Sequence, residues 1–198
     1  MSTRHIEMIY TIGHSNHRLD KFMSLLKKYD IDVLVDVRSR PWSRWKQFVG
    51  EGLAASLRSE GIVYEWLGGE LGARREEEGC YVEGVAVYEQ VAELPRFHEG
   101  IERVMEMAQG GRRLALMCAE REPWDCHRAI LVARELSGRG AVVSHVMGDG
   151  DLMSQAEIEV YLVNRMRSRH LFNVMDGYEE AVRVAYEARG LEIAYRKF

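Results

Sequence analysis

Leu114-Ala115-Leu116-Met117-Cys118 runs into Ala119-Glu120-Arg121-Glu122-Pro123-Trp124-Asp125, and then into Cys126-His127-Arg128 and an apolar helix-forming segment reaching Ser137. This is a strand, a polar loop and a helix, and the same sequence of events recurs on both sides of it. Upstream, Phe97, Ile101, Val104, Met105 and Ala108 keep helical spacing up to Gly110-Gly111. Downstream, Ala141–Val146 reads as another strand with Gly148–Gly150 as its exit. Further back, Val33, Leu34, Val35 and Val37 are apolar with little alternation, as expected of a strand buried on both faces. Glu7–Ile12 predicts the first strand. Leu19, Phe22, Met23 and Leu26 predict a helix stopping near Tyr29, Leu53 and Leu57 a second one closed by Gly61, and Ile62–Trp66 a strand after it. Strands alternating with helices predict an α/β fold: a mostly parallel sheet with helices on both faces, a Rossmann-like three-layer arrangement.

Residues 1–150 hold this alternation and define the α/β domain. From Ser154 the pattern is helical, with Ile158, Leu162 and Met166 on one stripe and Ala181, Val184 and Ala185 on another, so residues 151–198 read as a mainly helical C-terminal extension packed on the same domain. A contact between subunits of a homo-oligomer is an alternative use for that tail, and Leu191–Tyr195 is expected as an edge strand. Leu67–Gly84, with several glycines and the charged run Arg74–Glu78, is expected to be a mobile surface excursion, a candidate lid.

With 198 residues the chain is long enough to bury a full core without disulfides or a structural metal. A net charge of −4 gives no general attraction to nucleic acid or to anionic membrane, so any affinity for anions must be local. Met1–Tyr10 is charged rather than apolar, no stretch approaches the roughly 18 apolar residues of a membrane span, and the three cysteines follow no framework spacing. These features predict a cytoplasmic protein without membrane partners, in which a conspicuous cysteine is available for chemistry.

Three strand ends carry reactive side chains, and in a parallel sheet strand exits share one edge. The richest is the loop already quoted, which gathers Cys118, Glu120, Cys126, His127 and Arg128. Asp125 is expected as an N-cap, placing Cys126, His127 and Arg128 in the first helical turn, where thiol pKa values fall and anions bind. Next is Asp36-Val37-Arg38-Ser39-Arg40-Pro41-Trp42-Ser43-Arg44, where an acid closes an apolar strand and needs a partner. The third is Thr11-Ile12-Gly13-His14-Ser15, with Ser15 also a candidate cap for the following helix.

Taken together these segments resemble the domain-of-unknown-function family 488. The resemblance rests on Thr11–Ser15, on Asp36-Val37-Arg38 with Pro41 and Ser43, on Tyr64 with Leu67-Gly68 and Leu71-Gly72, and on Met117-Cys118-Ala119-Glu120 leading to Pro123-Trp124 and Cys126-His127-Arg128. It spans roughly residues 8 to 147. It implies an α/β fold with an unassigned activity, and a position for His14 at which family members often carry an aromatic residue.

The residues point first to an enzyme acting on an anionic small molecule, a nucleotide or a modified nucleic-acid component. Cys118 or Cys126 is the candidate nucleophile, while Glu120, Asp36 and His127 share proton transfer and orientation. Arg38, Arg128, Ser15, Ser43 and His14 are the candidate substrate-binding groups, and no metal or other cofactor is required. The second reading is metal-dependent, with zinc or iron held by Cys118, Cys126 and His127 together with Asp36 or His14. A third has no catalysis: Arg38, Arg40 and Arg44 with Trp42 and Trp45 form a basic, aromatic surface for nucleic acid.

Overall fold

The computed structural model describes residues 8–168 and 177–197. Glu7, at the start of the first predicted strand, and residues 169–176, between the two helical stripes of the tail, lie outside the described residues. The main sheet is built from β1 (Met8–Gly13), β2 (Val33–Asp36), β3 (Val63–Trp66), β6 (Leu114–Cys118), β7 (Val142–Val146) and β8 (Leu152–Ser154), in the order β3-β2-β6-β1-β7-β8. All neighbours are parallel except β8, which runs antiparallel to β7 at the edge. Among the described residues, no helix is long and apolar enough to cross a membrane.

Period-two alternation divides the apolar runs between two cores. Tyr10, Ile12, Leu34, Ala115 and Met117 face α1 (Leu19–Lys28) and α2 (Gly50–Ser59) through Phe22, Leu26, Leu53 and Leu57. Ile9, Val33, Val35, Leu114 and Leu116 face the other layer. That layer contains α5 (Pro95–Gln109), the helix from Arg128 through α6 (Arg134–Gly138), α7 (Gln155–Ser168) and α8 (Tyr178–Ile193). The chain thus forms a three-layer α/β structure with a helical C-terminal part. Steps along the sheet toward β3 carry their helices on one face and steps toward β8 on the other, as right-handed crossovers require.

β1 and β6 are neighbours whose onward connections leave for opposite faces, which makes their shared rim the switch point where open α/β sheets bind ligands. Gly13 at the end of β1 decides what happens there. A Cβ on it would stand 1.9 Å from the Glu120 carbonyl oxygen, so only glycine lets the loop after β6 lie across the end of β1. The open part of the rim is therefore displaced toward β2.

Three expectations need correction. Leu67–Gly84 is built rather than loose: it contains α3 (Gly68–Leu71) and β4 (Tyr81–Val82), which pairs as a hairpin with β5 (Val85–Ala86) just beyond it, and β5 leads on to α4 (Tyr88–Ala92). Within it the buried Arg75 donates to the Gly69 and Glu70 carbonyls at 3.0 and 2.8 Å and pairs with Glu77. Leu191–Ile193 completes α8 instead of forming an edge strand, and the extended contact comes later, where Ala86 donates to the Tyr195 carbonyl and Val85 bridges Arg196. Ser15 does not cap α1, whose N-cap is Arg18, but adopts a left-handed φ of 46°.

Candidate functional site

A cleft of about 770 Å³ opens at the C-terminal rim between the loops after β2 and β6. Its floor is formed by Cys118 at the end of β6, Glu120 in the loop, and Cys126 and His127 where the next helix begins. Four of the five predicted catalytic residues are therefore brought together, although the helix starts one residue later than expected. Cys126 is extended (φ −139°, ψ 139°), and its carbonyl accepts from Ala129 and Ile130, so Cys126 is the capping position. Asp125 instead pairs with Arg189 of α8. The helix then passes through a π-helical stretch, Arg128–Ala133, of the kind found at functional sites.

The donor atoms are close. Glu120 is exposed along its length, yet its Oε2 turns inward and accepts from both thiols at 3.0 Å. His127 Nε2 donates to the Val37 carbonyl at 3.0 Å, which leaves Nδ1 facing the sulfurs of Cys118 and Cys126 at 3.7 and 3.9 Å. Burial pushes the Cys118 thiol well above its ordinary range, and the neighbouring Cys126 and Glu120 reinforce this. Burial works the same way on Cys126, but a hydrogen bond from Cys118, the charge of Arg128 and the His127 ring outweigh it and hold that thiol well below the usual value.

Asp36 is absent from the cleft lining. It follows Leu34 onto the α1–α2 face, whereas Cys118 follows Leu116 onto the opposite one. Its carboxylate is consumed by the Arg38 backbone N–H at 3.1 Å, Arg38 Nε at 2.8 Å and the Tyr64 hydroxyl at 2.7 Å. The predicted catalytic duty of Asp36 is replaced by a positioning one, holding Arg38 at the edge of the cleft.

The predicted binding set fares differently. Arg38 lines the cleft, but its guanidinium also donates to the Phe48 carbonyl at 2.9 Å and lies 3.2 Å from His14 Nε2. Arg128 is fully buried and donates to loop carbonyls, Nη1 to Glu120 at 2.7 Å and Nη2 to Arg121 at 3.0 Å, so it shapes the loop and does not line the cleft. Ser43 accepts from the Trp45 N–H, Ser15 donates to Asn16, and neither lines the cleft. His14 lies outside it too, stacked on Phe48 with centroids 4.4 Å apart. That stacking is a contact an aromatic ring at this position could also make. Burial holds His14 neutral, with its pKa lowered to about 4.

Sequence reasoning saw the other wall only in part: Arg40 and Trp42 belong to the basic, aromatic surface of the third reading, while Arg74, Ser39, Tyr88, Ile193 and Tyr195 were missed. All of them line the cleft, with Trp42 at its rim, 68% exposed. Arg74 is brought in because Gly68 and Gly72 let α3 lie directly on Arg38 and Ser39, and its backbone N–H donates to Ser39 Oγ at 2.9 Å. The Gly68 and Gly72 spacing was the available signal for that approach. Nothing local signalled Ile193 and Tyr195, which arrive from the far end of the chain.

The chain is thus a three-layer α/β protein with a cleft of mixed polar and apolar lining at its strand ends. The family model described as "Domain of unknown function DUF488" matches residues 18–134, more than half of the chain, and the protein belongs to that family. The match begins after Thr11–Ser15, includes all four floor residues, and excludes Ile193 and Tyr195. No curated protein and no solved structure matches the chain.

Proposed function

We propose that the protein is an enzyme acting on a small anionic substrate of nucleotide type, with Cys118, Glu120, Cys126 and His127 as its reacting centre. The observation that carries this reading is the convergence of those four groups on the floor of a cleft whose wall presents two guanidinium groups. Among the described residues, neither Arg40 nor Arg74 is engaged in an ion pair, and Arg74 lies over the Tyr195 ring, 5.0 Å from its centroid. Guanidinium groups with uncommitted donors favour phosphate or carboxylate, and Trp42 and Tyr195 offer faces on which a planar base can stack. A volume of about 770 Å³ lies within the range of small-molecule sites.

The test has two arms. Nucleoside mono- and diphosphates should raise the thermal midpoint of the wild type, and Arg40→Glu with Arg74→Glu should abolish that shift. Conversion of a nucleotide or modified-nucleoside panel, followed by mass spectrometry, should stop in Glu120→Gln. Stabilisation by single-stranded RNA alone, with no nucleotide effect, would favour the basic, aromatic surface around Trp42. Absence of any anion-dependent shift sinks the proposal.

A further inference from the structure

We infer that the floor of the cleft is a zinc site whose protein ligands are Cys118 Sγ, Cys126 Sγ and His127 Nδ1, with a fourth position at Glu120 facing the cleft; this rests on the reading of the cleft as an active site. The three ligand atoms lie within 4.8 Å of one another. Zinc–sulfur bonds of about 2.3 Å and zinc–nitrogen bonds of about 2.0–2.1 Å at tetrahedral angles place sulfur and nitrogen about 3.6 Å apart. His127 Nδ1 stands 3.7 and 3.9 Å from the two sulfurs, nearly equidistant from both. An imidazole serving as the base of one nucleophilic cysteine would draw close to that sulfur and leave the other.

Proton accounting leads to the same conclusion. Because Nε2–H is given to the Val37 carbonyl, Nδ1 offers a lone pair. Two sulfurs and the Glu120 carboxylate offer lone pairs to the same point, and the thiols have at most two protons to share among all four groups. A divalent cation satisfies them together, and it replaces both thiol protons. The surroundings fit that role. The ring nitrogen that would be remote from the metal donates to a backbone carbonyl, one of the partners regularly found behind a ligating histidine. The Arg128 backbone N–H points at Cys126 Sγ from 3.5 Å, and the Arg128 guanidinium clamps the loop between the two cysteines. Two thiolates and an imidazole are borderline-soft ligands, which suit zinc over magnesium or calcium. Three protein ligands with one position toward the cleft is the pattern of a catalytic rather than a structural zinc, and Glu120 is placed to hold a water there.

The experiment is metal analysis of untagged wild-type protein, followed by cobalt(II) titration of chelator-treated protein. The expected result is close to one zinc per chain, unchanged in Cys80→Ser, whose sulfur lies elsewhere against the Glu77 carbonyl. Cobalt should give intense thiolate-to-metal absorption in the wild type, and His127→Gln should bind cobalt at least tenfold more weakly. A folded, chelator-treated wild type without that absorption overturns the inference and needs no variant to do so. Unchanged affinity in His127→Gln overturns it as well, and iron at that stoichiometry overturns the choice of zinc. The two proposals fail separately: nucleotide-dependent stabilisation without metal removes the zinc alone, and zinc without any anion effect or conversion removes the enzyme reading.

Discussion

Gly13→Ala tests how the cleft floor is held. The added methyl would stand 1.9 Å from the Glu120 carbonyl oxygen and 3.0 Å from that of Arg121, where side-chain carbons essentially never come closer than 3.0 Å. The loop must retreat by about 1 Å, and it has little freedom to do so. His14 and Ser15 donate backbone hydrogen bonds to Cys118 and Ala119 at 2.9 and 3.0 Å, and Arg128 grips the Glu120 and Arg121 carbonyls. Overpacking of a site that cannot relax costs about 1–3 kcal/mol. With a urea dependence of roughly 2 kcal/mol per molar, the unfolding midpoint should fall by about 0.5–1.5 M. The same retreat lifts Glu120 off the two thiols, so nucleotide stabilisation and cobalt absorption should weaken together. Gly52→Ala, on α2 with open space around it, should hold or raise the midpoint and leave both site readouts unchanged. A Gly13→Ala protein with wild-type midpoint and wild-type site readouts would refute the placement of the loop across β1.

Arg128→Met keeps much of the side-chain volume but takes the partner from two partly buried carbonyls, and urea unfolding should report a loss of about 2–4 kcal/mol; a loss below about 1 kcal/mol would contradict the clamp. Asp36→Asn leaves the buried Arg38 charge without its carboxylate and should cost about 3–5 kcal/mol, with Tyr64→Phe costing about 1 kcal/mol by the same assay. His145 is buried between the Thr11 hydroxyl and Gln155 Oε1, and burial, followed by the Arg128 charge, lowers its pKa to about 4 from 6.5. The unfolded chain therefore binds that proton first: the His145 contribution is complete above pH 6.5 and is lost, by about 3 kcal/mol, as the pH falls toward 4, a window in which the similarly lowered His14 adds a loss of its own. Denaturation midpoints across that window should show this slope in the wild type and a shallower one in His145→Gln, and equal slopes would show that His145 is not its source.

Much of the architecture was legible along the chain because burial on both faces removes alternation from a strand. Val33–Val37 and Leu114–Cys118 announce central parallel strands for that reason, and α1 and α5 announce themselves through one apolar stripe each. The floor of the cleft was legible too, since Cys118, Glu120, Cys126 and His127 are local to one strand–loop–helix passage. Their convergence needs only the loop to fold back. The Leu67–Gly84 segment was misread because glycines and charges look alike whether they face water or, as with Arg75, are buried on backbone carbonyls.

What the sequence by itself determined is the layered α/β fold and the chemical identity of the site floor, because periodicity and short-range spacing are local properties. Tertiary structure alone decided which guanidinium groups serve the cleft. Arg38 and Arg128, adjacent to the motifs, are drawn inward by Asp36 and by the loop carbonyls, while Arg40 and Arg74 are left facing the cavity. It also decided that Ile193 and Tyr195, some seventy residues beyond the floor cysteines in this numbering, complete the wall. An arginine's role is set by which acceptors come within hydrogen-bond reach, and those acceptors are supplied by segments distant in the chain.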